Sequence, residues 1–130
     1  MGRPTDCRYQ KSHEWIKVED GGIAVVGLTD YAVKALRDLV AFDLEQTDGE
    51  IKKGESFAVI ESVKAAADIY APVSGEITDV NDDLADDIDI LAQDPFGKGW
   101  MIKIKMQDAA QLQDLLDLDS YEKYLATEEE

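Results

Sequence analysis

The side chain best placed to do chemistry in this sequence is Lys64, in the stretch Ser56-Phe-Ala-Val-Ile-Glu-Ser-Val-Lys64-Ala-Ala-Ala-Asp-Ile-Tyr-Ala-Pro-Val-Ser-Gly75. Phe57 to Ile60 before it and Ile69, Tyr70 and Val73 after it favour strands. Gly54 and Gly75 lie ten residues before and eleven after, both in turn-like contexts. A chain that turns at both glycines and pairs with itself between them reverses direction near Lys64. One ammonium group then stands at a hairpin tip, beside alanines too small to shield it. Such a lysine is either a solubilising charge or a handle for covalent modification.

Other reactive groups are scarce. His13 is the single histidine, and it precedes Glu14-Trp15 at the start of a strand, where most histidines are structural or face solvent. Ser12 and His13 are neighbours in sequence, so they make no oriented nucleophile and base pair. Gly97-Lys98-Gly99 lacks the strand-loop-helix setting of a phosphate loop. The acidic run Asp82, Asp83, Asp86, Asp87, Asp89 lacks the glycine and terminal glutamate of a calcium loop. Cys7 is the single cysteine, which excludes an intrachain disulfide and fits a cytoplasmic setting. A chain this poor in catalytic groups that displays one lysine reads as a carrier, with an attached prosthetic group doing the chemistry.

The elements that must position Lys64 are short. Trp15–Val18 and Ile23–Leu28 read as strands around a turn at Asp20-Gly21-Gly22. Thr29 is a helix N-cap, and Ala32, Leu36, Leu39 and Val40 fall at helical spacing, predicting a helix from Asp30 to about Leu39. Val40–Leu44 is a further strand and Gln46–Glu55 a turn region. Glu76–Val80 is a strand, Asn81–Asp89 an acidic loop or irregular helical turn, and Asp94–Gly99 a turn. Trp100–Met106 alternates like a half-buried strand. Asp108 caps a helical run with Leu112, Leu115 and Leu116, and a second helix spans about Ser120 to Ala126. The pattern predicts one domain over 1–130, with flexible ends at 1–8 and 127–130, built as a β-sandwich or barrel with helical additions.

At 130 residues and 45 % hydrophobic composition the chain can bury a core. Its net charge is −16, concentrated in residues 76–130, which hold 16 acids against 4 bases. Such a surface repels phosphate backbones and anionic lipids, which argues against nucleic acid and membrane as partners. Solubility or a saline habitat explains the acidity; a docking face for basic partner enzymes is the sharper reading. No stretch has the apolar length of a membrane span or signal peptide, and Met1-Gly2 lacks the Ser or Thr that an acylation signal needs at position 6.

Glu61-Ser-Val-Lys64-Ala-Ala, followed by Asp68-Ile-Tyr-Ala-Pro72-Val-Ser-Gly75-Glu76, resembles the lipoylation site of the glycine cleavage system H protein family. His13-Glu14-Trp15 is similar to the family's N-terminal signature, Gly27-Leu-Thr-Asp-Tyr-Ala32 to the start of its helix, and Asp94-Pro-Phe-Gly-Lys-Gly-Trp100-Met-Ile-Lys-Ile-Lys105 to its last strand. The resemblance implies a mainly β, barrel-sandwich hybrid fold, of two small antiparallel sheets related by a pseudo-twofold, with a short inserted helix and C-terminal helices. It implies lipoate linked to Lys64 through an amide, Glu61 as a residue read by the lipoyl-attaching enzyme, and Ser12, Glu14 and Asp68 lining a groove that holds the loaded amine. Two segments depart from the family pattern. Arg37 stands where a glycine is usual, and prolines usual after Leu44 and between Asn81 and Asp94 are absent.

The implied partners are a lipoate-protein ligase or lipoyl transferase, then glycine decarboxylase, aminomethyltransferase and dihydrolipoyl dehydrogenase. The protein itself would be a non-catalytic carrier of aminomethyl groups. An H-like lipoate-binding protein serving a heterodisulfide-reductase-like sulfur-oxidising complex is the alternative carrier, and an H-like donor of lipoyl or octanoyl groups a third. An unmodified acidic interaction module is the alternative from another class.

Overall fold

A computed structural model describes residues 4–128 of the 130. Expectations placed on residues 1–3 and 129–130 lie outside the described residues. The elements run β1 (Arg8–Tyr9), β2 (Glu14–Glu19), β3 (Ile23–Leu28), α1 (Asp30–Leu36), β4 (Leu39–Leu44), β5 (Gly49–Ile51), β6 (Ser56–Ser62), β7 (Ala66–Tyr70) and β8 (Gly75–Val80). They continue with α2 (Asp83–Asp86), α3 (Asp89–Gln93), β9 (Ile102–Met106), a 3-10 helix over Ala109–Asp114 and α4 (Leu118–Glu128).

Two antiparallel sheets form the sandwich. One has six strands in the order β1-β2-β3-β9-β8-β5, and the other has three in the order β4-β6-β7. Both orders are linear, so neither sheet closes, and the expected barrel-sandwich hybrid with paired small sheets is corrected to an open sandwich of unequal sheets. The outer edge of β1 is engaged by the C-terminal segment instead of by another sheet strand. Tyr9 and Leu116 exchange backbone hydrogen bonds of 2.8 Å in both directions. Those bonds occupy the backbone edge of β1 at Tyr9.

Strand alternation explains the layering. Along β2, Ile16 points into the core between the sheets while Trp15 points to the opposite face. The inner core joins Ile16, Val26 and Ile104 of the large sheet to Phe42, Phe57, Ile60 and Ile69 of the small one. Burying a side chain such as Phe57 contributes roughly 2 to 3 kcal/mol. Across the outer face α4 lays Tyr121 and Leu125 over Tyr9, Trp15 and Val25. Gly27 pairs with Trp15, whose ring lies 2.7 Å from where a β-carbon on Gly27 would stand, so only glycine fits there.

Helix α1 starts where the sequence predicts. Thr29 Oγ1 accepts from the Ala32 N–H, a cap contributing about 1 kcal/mol. It ends three residues earlier than expected. The Arg37 N–H caps on Val33 O, and Arg37 takes φ 53, ψ 174, a region almost reserved for glycine that costs other residues roughly 1 to 3 kcal/mol. Leu39 is thereby released from the helix to pair with Ser62 in the small sheet. The acidic stretch after β8 forms the short helices α2 and α3, anchored by buried Leu84 and Leu91, and the turn region after β4 contains β5. Strand β1 has only two residues, in a stretch expected to be flexible or polar.

Candidate functional site

Strands β6 and β7 pair from Ser56↔Tyr70 to Glu61↔Ala66, with one register shift between Ser56 and Ala58, leaving Val63, Lys64 and the turn's ends at the tip. Ser62 staples this turn. Its N–H donates to Ala65 O at 2.7 Å, and its hydroxyl both donates to Ala65 O and accepts from the Ala65 N–H, each at 3.2 Å. A further bond, Val63 N–H to Asp38 O at 3.1 Å, ties the tip to the kink after α1. The turn is therefore hydrogen-bonded on both sides of Lys64 while Lys64 itself is exposed, and Val63 beside it is 72 % exposed. Glu61 is also exposed, at the end of β6 and on the same hairpin.

From Lys64 a track runs along α1. The cleft holding Lys64, of about 280 Å³, shares Ala35 and Leu36 as walls with a second, mostly apolar cleft of about 330 Å³. Leu28, Ile60 and Ile69 line the second cleft with Tyr31 and Ala32, and Ser12 and Asp68 supply polar atoms to it. Asp68 and Ser12 are exposed. The two clefts thus adjoin at Ala35 and Leu36, with Lys64 in one and Asp68 in the other.

Glu14 is placed differently from the expectation. It is 1 % exposed and lies behind Ser12 rather than on the cleft wall. Its Oε1 accepts from the Ser12 hydroxyl and from Gln10 Nε2 at 2.9 Å, and its Oε2 accepts from the Tyr70 N–H at 3.0 Å. Burial pushes its carboxyl up to about 7, and these hydrogen bonds oppose the rise without cancelling it. Of the three residues that the resemblance implies for a groove, Ser12 and Asp68 line the cleft and Glu14 supports Ser12 from beneath.

His13 has a structural setting. It takes φ 77 just before β2, its Nδ1 lies 2.9 Å from the Tyr121 hydroxyl, and its ring lies tilted against Tyr31, 4.8 Å between centroids. The same Tyr121 oxygen lies 2.8 Å from Oγ1 of Thr29, the cap of α1. Helix α4 is thus bonded to the residue that starts the groove-forming helix. Cys7 is buried, and burial together with the Asp6 charge pushes its thiol up to about 12, leaving little thiolate at neutral pH.

Sequence reasoning missed Tyr31, Ala35, Gln10 and Tyr121. Tyr31 and Ala35 stand at i, i+4, a second stripe beside the core stripe Ala32–Leu36 that the pattern does show. Gln10 and Tyr121 join the site through tertiary contacts, for which spacing gives no signal. Among the described residues no group of three His, Cys, Asp or Glu is arranged to hold a metal ion, and no helix is long and apolar enough to cross a membrane.

Known proteins resemble this chain along nearly its whole length. The family model described as "Glycine cleavage H-protein" matches residues 7–128. The chain is 48 % identical over 127 residues to the glycine cleavage system H protein of Carboxydothermus hydrogenoformans, covering 98 % of this chain and 97 % of that one. It is 45 % identical over 125 residues to the corresponding protein of Halothermothrix orenii, covering 96 % and 97 %. The crystal structure of a glycine cleavage system H protein from Mycobacterium marinum superposes with a TM-score of 0.87 at 34 % identity, covering 95 % of this chain and 99 % of the other. A family match over nearly the whole length, on a fold that offers one lysine at a stapled hairpin, assigns the chain to the glycine cleavage H-protein family.

Proposed function

We propose that Lys64 is the residue of this lipoyl carrier that bears the lipoyl group, and that the Ser12–Asp68 cleft is where the arm rests. As a member of its family the chain is a non-catalytic carrier, with lipoyl-lysine as its cofactor. The observation that carries the residue assignment is the hydrogen-bonded turn around an exposed lysine whose cleft adjoins, at Ala35 and Leu36, the one holding Asp68.

The residues present fit such a group. Lys64 Nζ is free to form an amide, and the walls Leu36, Ile60 and Ile69 suit an aliphatic chain. When bound, lipoate supplies a dithiolane that accepts a one-carbon amine and two electrons. Asp68 favours the charged, unreactive form of an amine held near it. Ser12, fixed by Glu14, offers a hydroxyl oxygen to the same site. The small side chains Ala65 and Ala66 leave space around Lys64, and Glu61 stands exposed on the hairpin for an attaching enzyme to read.

The partners follow from the family as those of the glycine cleavage system. In our reading they are a lipoate ligase or lipoyl transferase for attachment, then glycine decarboxylase, aminomethyltransferase and dihydrolipoyl dehydrogenase. The relatives described above are named for glycine cleavage, and nothing among them speaks for the sulfur-oxidation alternative.

Two measurements test the proposal. Peptide mass mapping of the protein from its own host should place one lipoyl group on Lys64; a free Lys64, or a lipoyl group elsewhere, would overturn it. The lipoylated protein should support glycine–bicarbonate exchange by the host's glycine decarboxylase, and a Lys64→Arg variant should fold normally and support none.

A further inference from the structure

The lining of the cleft at Lys64 departs from the charge balance of the molecule. Across the sequence acids outnumber bases 29 to 13. The cleft at the hairpin, however, is lined by Lys34, Arg37 and Lys64, and no carboxylate lines it. Among the described residues none of these three cations forms an ion pair with a carboxylate. Lys34 stands in the last turn of α1 and Arg37 caps its end, and both line this one cleft. Arg37 holds its place at φ 53, ψ 174, which disfavours any side chain, and Val63 fastens the following residue to the lysine turn. Strain retained beside a reactive group is a pointer to function.

We propose that Lys34 and Arg37 form an anion subsite that receives the phosphate of an acyl-phosphate donor while Lys64 is acylated. This rests on Lys64 being the residue modified. A carboxylic acid does not condense with an amine in water, so the acyl group must arrive activated. In a mixed anhydride with phosphate, phosphorus is bonded to the acyl oxygen, which puts negative charge within a few ångströms of the acyl carbon. Cations sharing one cleft with Nζ suit that placement, whereas a thioester sulfur carries no charge for them to meet. The Lys64 amine attacks the acyl carbon, and the C–N bond forms as the acyl C–O bond breaks. Phosphate leaves with the electron pair, and the proton shed by the amine passes to water or to the departing phosphate. The two cations attract the donor and stabilise the charge that grows on its leaving group.

The test uses the full chain with Lys64 free, treated with acetyl phosphate or with the neutral donor phenyl acetate. Site-resolved mass spectrometry then gives the ratio of acetylation rates at Lys64 and at exposed Lys98. The ratio should be about fivefold higher with acetyl phosphate than with phenyl acetate, the size expected of exposed charge attraction. In Lys34→Gln/Arg37→Gly the two ratios should become equal, and 0.5 M salt should narrow the gap in the parent. Glycine at position 37 suits the backbone there, and a thermal melt checks the fold. Equal ratios in the parent, or a preference that survives the double substitution, would overturn the subsite. The outcome is independent of which lysine carries lipoate in the host, which the mass map reads separately.

Discussion

Glu14 Oε2 accepts a hydrogen bond of 3.0 Å from the backbone N–H of Tyr70, and this bond joins the two sheets. Glu14 opens β2 in the six-stranded sheet and Tyr70 ends β7 in the three-stranded one. Gln10 Nε2 reinforces the strap by donating to both Glu14 Oε1 and Tyr70 O. The strap lies beneath Ser12, at the end of the cleft remote from Lys64. The Ser12 side of the groove is thus built on a buried carboxyl group, while Asp68 supplies an exposed one.

That burial has a consequence for stability against pH. The ordinary value of the Glu14 carboxyl is 4.5, and burial raises it to about 7 in the folded chain. Between those values the folded state binds more protons than the unfolded state, so this group's contribution is fully present below about 4.5 and is lost as pH rises through about 7. The loss amounts to about 3 kcal/mol at 1.36 kcal/mol per pH unit. Urea unfolding of the parent and of Glu14→Gln at pH 4.5 and pH 8 should show a stability difference that moves by that order in favour of the glutamine at high pH. A difference independent of pH would refute the raised value.

The Tyr121 hydroxyl bridges His13 Nδ1 and Thr29 Oγ1, and Thr29 is fully buried. Tyr121→Phe keeps the ring stacked on Tyr9, 4.6 Å between centroids, and removes the bridge alone. Depriving buried Thr29 of this hydrogen bond should destabilise the fold by about 1 to 3 kcal/mol. Hydrogen exchange should also show faster opening at the start of α1, around Tyr31 and Ala32, because its cap has lost support. Protection unchanged there would sever α4 from the groove helix.

Legibility in the sequence followed the range of the interactions. The hairpin at Lys64 was readable because it is local, with strand formers on both sides and Ser62 bonds that reach only three residues. Thr29 was readable for the same reason. The end of α1 was not, since the apolar positions Leu39 and Val40 continue the helical spacing while pairing of Leu39 with Ser62 claims them for β4. Closure into a barrel could not be judged from strand count, because Leu116 takes the edge of β1 from far along the chain. Glu14 looked like a groove surface residue, and only the packing of Tyr70 over it shows it buried.

Arg37 gives a stability prediction opposite to the usual direction for surface changes. Relief of the roughly 1 to 3 kcal/mol associated with its backbone region should outweigh the roughly 0.5 to 1 kcal/mol of extra chain entropy that glycine loses on folding. Arg37→Gly should therefore be more stable than the parent by about 1 kcal/mol, whereas Arg37→Ala should gain nothing. Thermal or urea midpoints of the pair decide it. A destabilised glycine variant would mean that the arginine side chain makes contacts outweighing its backbone strain.

Asp68 is the carboxylate that faces the cleft directly, exposed on β7 opposite Val59. If it holds the charged form of the carried amine, its removal should hasten loss of that amine to water without touching the fold. An exposed pairing of this kind is worth up to about 1 kcal/mol, so Asp68→Asn should raise spontaneous ammonia release from the loaded carrier by about threefold to fivefold. Salt should narrow the gap between parent and variant, because the effect is a screened attraction. Ser12→Ala should act in the same direction and more weakly, since it removes an oxygen and not a charge. Stability of Asp68→Asn should stay within about 0.5 kcal/mol of the parent. Ammonia release at the parent's rate in both variants would move the resting place of the amine away from this cleft, even with Lys64 established as its point of attachment.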